Sequence, residues 1–211
     1  DAYEPYVYSK EVINRSIFYE LHELEEDIIP IKLDGITKEL LLYGGRIGFI
    51  TFGLKPHWVK NSQELTTLKA EIDNKLSGML RTTISNANHF YQSLILKLFD
   101  DIGMDGVIQK REKVIHLLKE RYEKINAEFR KIKNENISVD SNAGGFFIFV
   151  NLNNISANHF ADHLLKKYKV GVIPIEKQHD NINGIRIAYC SIDIRKIPEF
   201  VSRIDQALRD F

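Results

Sequence analysis

The spacing of apolar residues changes several times along the chain, and each change marks an element. Ile28 to Leu33 is a short β-branched run that ends at the turn pair Asp34-Gly35. Arg46 to Phe52, RIGFITF, is a second run, bounded by Gly44-Gly45 and Gly53. Both read as strands buried on both faces. From Ser62 to Leu80 the positions Leu65, Leu68, Ile72, Leu76, Met79 and Leu80 recur at three and four, which predicts an amphipathic helix. A second helix is expected over His89 to Phe99. Gly103 breaks the pattern, and a long helix follows from about Val107 to Lys133, striped by Val114, Leu118, Tyr122, Ile125, Phe129 and Ile132. Its other face is crowded with Lys, Arg and Glu and reads as solvated, with a partner-binding face as the alternative.

From Ile137 onward the texture is different. Ile137 to Val139 is a short strand, and Gly144-Gly145 leads into the strong strand FFIFVNL. Ser156 can cap a helix running to Lys167. Val170 to Ile175 and Ile185 to Tyr189 are further strands. A last helix covers Ile194 to Leu208, with Pro198 tolerated near its first turn. The alternation predicts a small α/β or α+β layer pair. The expected division is residues 1–102 and 103–211, with the long helix linking the two.

Composition narrows the function classes. Of the 211 residues, 44% are hydrophobic, enough for a real core, and 29 basic residues cancel 29 acidic ones. No global field favours nucleic acid. No apolar run approaches the ~20 residues of a membrane span. The single cysteine, Cys190, rules out an internal disulfide framework and fits a reducing compartment, so cytoplasm is the default. The opening, with Tyr3, Tyr6, Val7 and Tyr8, looks like a strand end and reads as a truncated chain.

The residue with most chemical potential is Lys38. It follows a strand and the turn Asp34-Gly35-Ile36-Thr37, and Arg46 comes eight residues later at the start of another strand. A lysine at the mouth of an α/β sheet can lose solvation and free its amine for Schiff-base chemistry. An arginine nearby can hold a phosphate with two parallel hydrogen bonds. A surface charge is the alternative reading. His159 and His163 stand one helical turn apart, as zinc ligands would, but no glutamate follows the first and no third ligand is near, so no metal site is expected.

The stretch KLDGITKELLLYGGRIGFI resembles the cofactor-lysine segment of fold-type I pyridoxal-phosphate-dependent aminotransferases, class I/II. In that family a lysine, often preceded by serine or threonine, is followed eight residues later by an arginine in an R-[IV]-G motif. Lys38, Thr37, Arg46 and Gly48 match. The resemblance implies Schiff base and proton shuttle for Lys38, a phosphate clamp for Arg46, and Thr37 among the cofactor-binding residues. Asp1-Ala2-Tyr3 is similar to the family's D-x-x-Y segment, with an offset of two in place of three. Tyr3 carries over as the partner of the ring hydroxyl, and Asp1, whose register is left open, is not carried over. IRIAYC resembles the strand whose arginine, here Arg186, grips the substrate α-carboxylate. LRTTISNAN resembles the dimer-interface segment that enters the partner's active site, and Arg81 stands four residues before Ser85-Asn86, as in dicarboxylate-specific members. One departure is Gly35, where many members carry a phosphate-binding serine.

The fold implied is α/β: part of the three-layer large domain of the pyridoxal-phosphate transferases, then a small C-terminal domain. The family's N-terminal half, with its glycine-rich phosphate loop, has no counterpart in this sequence, and the fragment is expected to be inactive alone. The implied activity of the whole enzyme is transamination between an amino acid and a 2-oxo acid with pyridoxal 5'-phosphate, an aspartate- or glutamate-like donor, and a homodimer with shared sites. A lyase or decarboxylase on the same scaffold, and an inert fragment or interaction module, stay open.

Overall fold

The computed structural model describes residues 3–24, 27–140 and 142–211. Contacts divide the chain into two units. One holds the residues up to Pro5 with Ile13–Glu112, the other Tyr6–Val12 with Lys113–Phe211. Among the described residues no helix is long and apolar enough to cross a membrane.

In the first unit α1 (Ile17–Glu23) starts at buried Ser16, whose hydroxyl accepts a hydrogen bond from the Phe18 amide at 3.2 Å. Strand β1 (Ile31–Gly35) pairs antiparallel with β2 (Gly48–Phe52), from Ile31 opposite Phe52 to Gly35 opposite Gly48. The first strand begins after Pro30, which has no amide to give a ladder. Between the strands lie the single turn α2 (Ile36–Glu39) and a 3-10 turn, Tyr43–Gly45.

The expectation of two strands buried on both faces is not met. The register puts Ile31, Leu33, Ile50 and Phe52 on one face, and the first three are 55%, 61% and 51% exposed. Burying both faces of a strand needs a layer against each. A continuous apolar run signals suitability for such layers and does not supply them.

Helix α3 (Ser62–Thr83) is capped by Asn61, whose side chain accepts from the Glu64 amide at 2.9 Å. Its stripe is half-buried at Leu65, Leu68, Ile72 and Leu76, and exposed at Met79 and Leu80. The two helices expected near His89 and Val107 run together as α4 (His89–Phe129), interrupted at Gly103, whose φ of 65° and ψ of 176° are not helical. The boundary between the units falls inside this helix, between Glu112 and Lys113.

The second unit is built on an antiparallel sheet in the order β3 (Ile137–Val139), β4 (Ile148–Leu152), β6 (Ile182–Ile187), β5 (Ile173–Lys177). Along β4, Ile148, Val150 and Leu152 are buried and the residues between them half-buried. With Ile185 and Ile187 of β6 they pack against Ile125 and Phe129 of α4, Phe160 of α5 (Ala157–His163), and Ile197, Val201, Ile204 and Leu208 of α6 (Ile197–Leu208). A strand turns alternate side chains to opposite faces, so this core takes one face of β4 and β6 and leaves Phe149 and Arg186 on the other. Ser156 caps α5 as its sequence predicts, accepting from the His159 amide at 3.3 Å. The helix continues as a π turn through Tyr168. The opening tyrosines do not form a strand. Glu4–Tyr6 is a 3-10 turn, and Val7 makes a single bridge to Gly144.

Candidate active site

Lys38 sits in the connection between β1 and β2, and that connection is pinned where it leaves and re-enters the ribbon. The Ile36 amide donates to the Ile47 carbonyl at 3.2 Å. The side chains of Ile36 and Ile47 are buried with Ile95 of α4, and Leu40, Leu42, Tyr91 and Phe99 surround them. Inside the connection, the amides of Leu40 and Leu42 donate to Ile36, Leu41 to Lys38, and Gly45 to Leu42. Gly45 is buried, and a Cβ there would stand 2.9 Å from Ile36 Cδ1 and 3.1 Å from Leu42 Cγ. Leu41 and Arg46 hold left-handed backbone conformations, with φ of 55° and 50°. Each costs roughly 1–2 kcal/mol for a residue with a Cβ. Strain of this kind gathers at functional sites.

Lys38 is half-buried, with its Nζ 5.7 Å from the centroid of the Tyr3 ring. Next to Tyr3, the Glu4 carboxylate pairs with Lys32 of β1 at 3.2 Å, and Lys32 also meets Asp34 at 3.3 Å. Burial works against the Lys32 ammonium, but Glu4 and then Asp34 outweigh it and raise its pKa. Glu39, the neighbour of Lys38, pairs with Arg111 at 3.1 Å. Thr37 is half-buried on α2. Arg46 is exposed, its guanidinium 5.8 Å above the Tyr43 ring. The structure thus sets Lys38, Thr37 and Arg46 on one connection and Tyr3 against Lys38. Asp1 lies outside the described residues.

This donor set suits a phosphorylated aldehyde. It offers an amine to condense with the carbonyl, a guanidinium and a hydroxyl for the phosphate, and a phenol for a ring oxygen. Arg81 stands apart on α3, exposed, with Nη1 donating to the Ser85 hydroxyl at 3.0 Å. Ser85 follows in a left-handed turn, φ 69°.

Arg186 belongs to the second unit, in β6, paired across the sheet with Phe149 on one side and Ile173 on the other. Its guanidinium carbon lies 4.8 Å from the centroid of the Phe147 ring. Sequence reasoning did not single out Phe147. The signal available was Gly144-Gly145 just before it, read only as a strand entry. The two histidines of α5 meet an aromatic terminus: His159 and His163 both pack edge-on against Phe211, and His163 Nε2 lies 2.7 Å from Asp210. Cys190 is half-buried, and its carbonyl accepts from Arg121.

A lysine-bearing connection between two antiparallel strands, and an arginine on the face of a second sheet opposite its core, occur here within a fold shared with solved aminotransferases. The α-aminoadipate aminotransferase LysN of Thermus thermophilus is 20% identical with a TM-score of 0.74, over 100% of this chain and 49% of that one. A multiple-substrate aminotransferase of Thermococcus profundus is 20% identical with a TM-score of 0.73, over 100% and 47%. An aspartate aminotransferase of Thermotoga maritima is 19% identical with a TM-score of 0.68, over 99% and 46%. The chain therefore spans about half the length of these structures. The chain belongs to the aminotransferase class I and II family, whose model matches residues 1–204. The family depends on pyridoxal phosphate. Among the curated proteins none matches this chain.

Proposed function

We propose that this chain carries the cofactor-anchoring and substrate-carboxylate-binding parts of an enzyme that moves an amino group between an amino acid and a 2-oxo acid with pyridoxal 5'-phosphate. The observation that carries the reading is the pinned connection from Ile36 to Ile47. It holds an amine, a hydroxyl and a guanidinium on one short, anchored stretch, with an aromatic ring 5.7 Å from the amine. The first unit is then part of a three-layer large domain, and the second the small domain.

When bound, pyridoxal phosphate supplies an aldehyde carbon and an electron-withdrawing ring. Lys38 presents one group that is both nucleophile and base: its amine would take the proton from the α-carbon of the amino donor and, in the return half, give one to the α-carbon of the 2-oxo acid. Arg46 and the Thr37 hydroxyl would hold the cofactor's phosphate, a guanidinium being suited to a phosphate's oxygens. The Tyr3 hydroxyl would hydrogen-bond the oxygen on the cofactor's ring. Arg186 reads the planar α-carboxylate of the substrate with its planar fork. Arg81 serves a second carboxylate, across a homodimer interface in the whole enzyme. The similar structures are named for α-aminoadipate and aspartate but also for kynurenine and aromatic amino acids, so the dicarboxylate reading is carried by Arg81 alone.

The test is reductive trapping. The protein is incubated with pyridoxal phosphate, reduced with borohydride, digested, and the label mapped by mass spectrometry. Label concentrated on Lys38, and lost in Lys38→Ala, is expected. Label spread evenly over exposed lysines would end the assignment.

A further inference from the structure

We propose that Phe147 is a positioning residue for Arg186: its ring is a shelf that fixes the plane of the guanidinium, and the loop from Asn142 to Phe147 is built to hold that ring in place. The proposal rests on the reading of Arg186 as the residue that grips the substrate carboxylate.

A guanidinium grips a carboxylate through its edge, because its N–H donors all lie in its plane. It sits on a long stem with many rotamers, so something must choose the plane. A ring at 4.8 Å against the guanidinium makes that choice and uses none of its N–H donors. The cross-strand neighbour Phe149 does not take this part. Its ring lies over Gly184, where an added Cβ would stand 2.6 Å from Phe149 Cζ.

The shelf is itself fixed from several directions. Asn142 Nδ2 donates to the carbonyls of Phe147 at 3.0 Å and Gly144 at 3.2 Å. The hydroxyls of Tyr8 and Tyr189 both donate to the Gly145 carbonyl. The Gly145 amide donates to the Tyr6 carbonyl at 2.8 Å, and the Cys190 amide to Phe146 at 3.4 Å. Phe146 is turned into the interior, 7% exposed, edge-on to Tyr6 with centroids 4.8 Å apart. Phe147, one residue before β4, turns its ring to the Arg186 guanidinium. Gly145 has a φ of 84°, a conformation that favours glycine. The glycine pair is therefore a specification of where the ring of Phe147 sits.

Phenylglyoxal modification of Arg186 in the full chain, followed by peptide mass spectrometry, tests this. The probe ligand is 2-oxoglutarate, with sulfate at matched ionic strength as control. In the unaltered protein 2-oxoglutarate should protect Arg186 and sulfate should not. Phe147→Leu should raise the half-protecting concentration about two- to fivefold, Phe147→Tyr should restore it, and Phe147→Trp, with the stronger ring face, should lower it. Should the leucine variant fail to fold, the tyrosine and tryptophan variants still set the direction. Equal protection across the folded variants overturns the shelf and leaves Arg186 as a carboxylate residue. Absence of protection in the unaltered protein removes the carboxylate reading of Arg186 and the shelf with it.

Discussion

Gly144→Ala should loosen the segment 6–9 from the rest of the second unit, and the cost follows from the coordinates. A Cβ at position 144 would stand 2.0 Å from the Tyr6 carbonyl oxygen and 3.1 Å from Val7 Cα. These are backbone atoms, so no rotamer relieves the overlap and one segment must move. At stake are the hydrogen bonds from the Gly145 amide to Tyr6 at 2.8 Å and from the Tyr8 amide to Ala143 at 2.7 Å. At about 0.5–1.5 kcal/mol each, the pair contributes ~2 kcal/mol. Tyr6 is fully buried, and exposing part of its ring adds about 1 to 2 kcal/mol. The expected loss is ~3 kcal/mol. With a urea slope of roughly 1–3 kcal/mol/M, the unfolding midpoint should fall by about 1–3 M. Amide exchange at Tyr8 and Gly145 should speed up in parallel. Gly171→Ala is the control, since a Cβ there meets nothing within 4 Å. A midpoint for Gly144→Ala no lower than the control, with Tyr8 still protected, would refute the steric argument.

Two further outcomes are expected. Burial first, then the neighbouring Tyr6, raises the Tyr8 phenol, and burial first, then Tyr8, raises that of Tyr189. Unfolded phenols ionise from about pH 10 while these stay neutral in the fold, so stability is complete below that pH and falls above it. A urea midpoint that stays level from about pH 9 to pH 11 would contradict this, and Tyr8→Phe should flatten the decline. Gly78→Ala, in the body of α3 with open space around its Cβ, should stabilise the chain by about 1 kcal/mol, read as a higher melting temperature; a lower one would show a contact the structure lacks.

Much of the chain is legible in its residue pattern. The period of three and four at Leu65, Leu68, Ile72 and Leu76 locates α3, Gly103 marks the interruption in α4, and Ser156 marks the start of α5. These signals are local, set by backbone geometry and capping. What the pattern does not reveal is set by neighbours. RIGFITF reads as buried, yet whether a strand is covered depends on what lies against it. Leu41 and Arg46 carry no glycine or asparagine to announce their left-handed backbone, which the closure of the connection imposes. In the candidate site, Lys38, Thr37 and Arg46 came from a motif in one stretch of chain, and the spatial pairing of Arg186 with Phe147 had no such stretch to carry it.

The exposed ribbon raises the question of how Lys38 is held. The pair of β1 and β2 is a poor source of order, because a two-stranded ribbon is marginal alone and Ile31, Leu33 and Ile50 each leave more than half their surface in water. Each such side chain forgoes a large part of the roughly 1.5–3 kcal/mol its full burial would contribute. The connection beyond the ribbon is better anchored. Ile36 and Ile47 are 2% and 6% exposed, joined by a backbone hydrogen bond, and packed on Ile95 of α4. Order at Lys38 therefore comes from the helix beneath the connection more than from the strands that lead to it. Fraying of β1 and β2 toward Ile31 and Phe52 can leave the amine in place, whereas a cavity at Ile36 or Ile95 would release it directly.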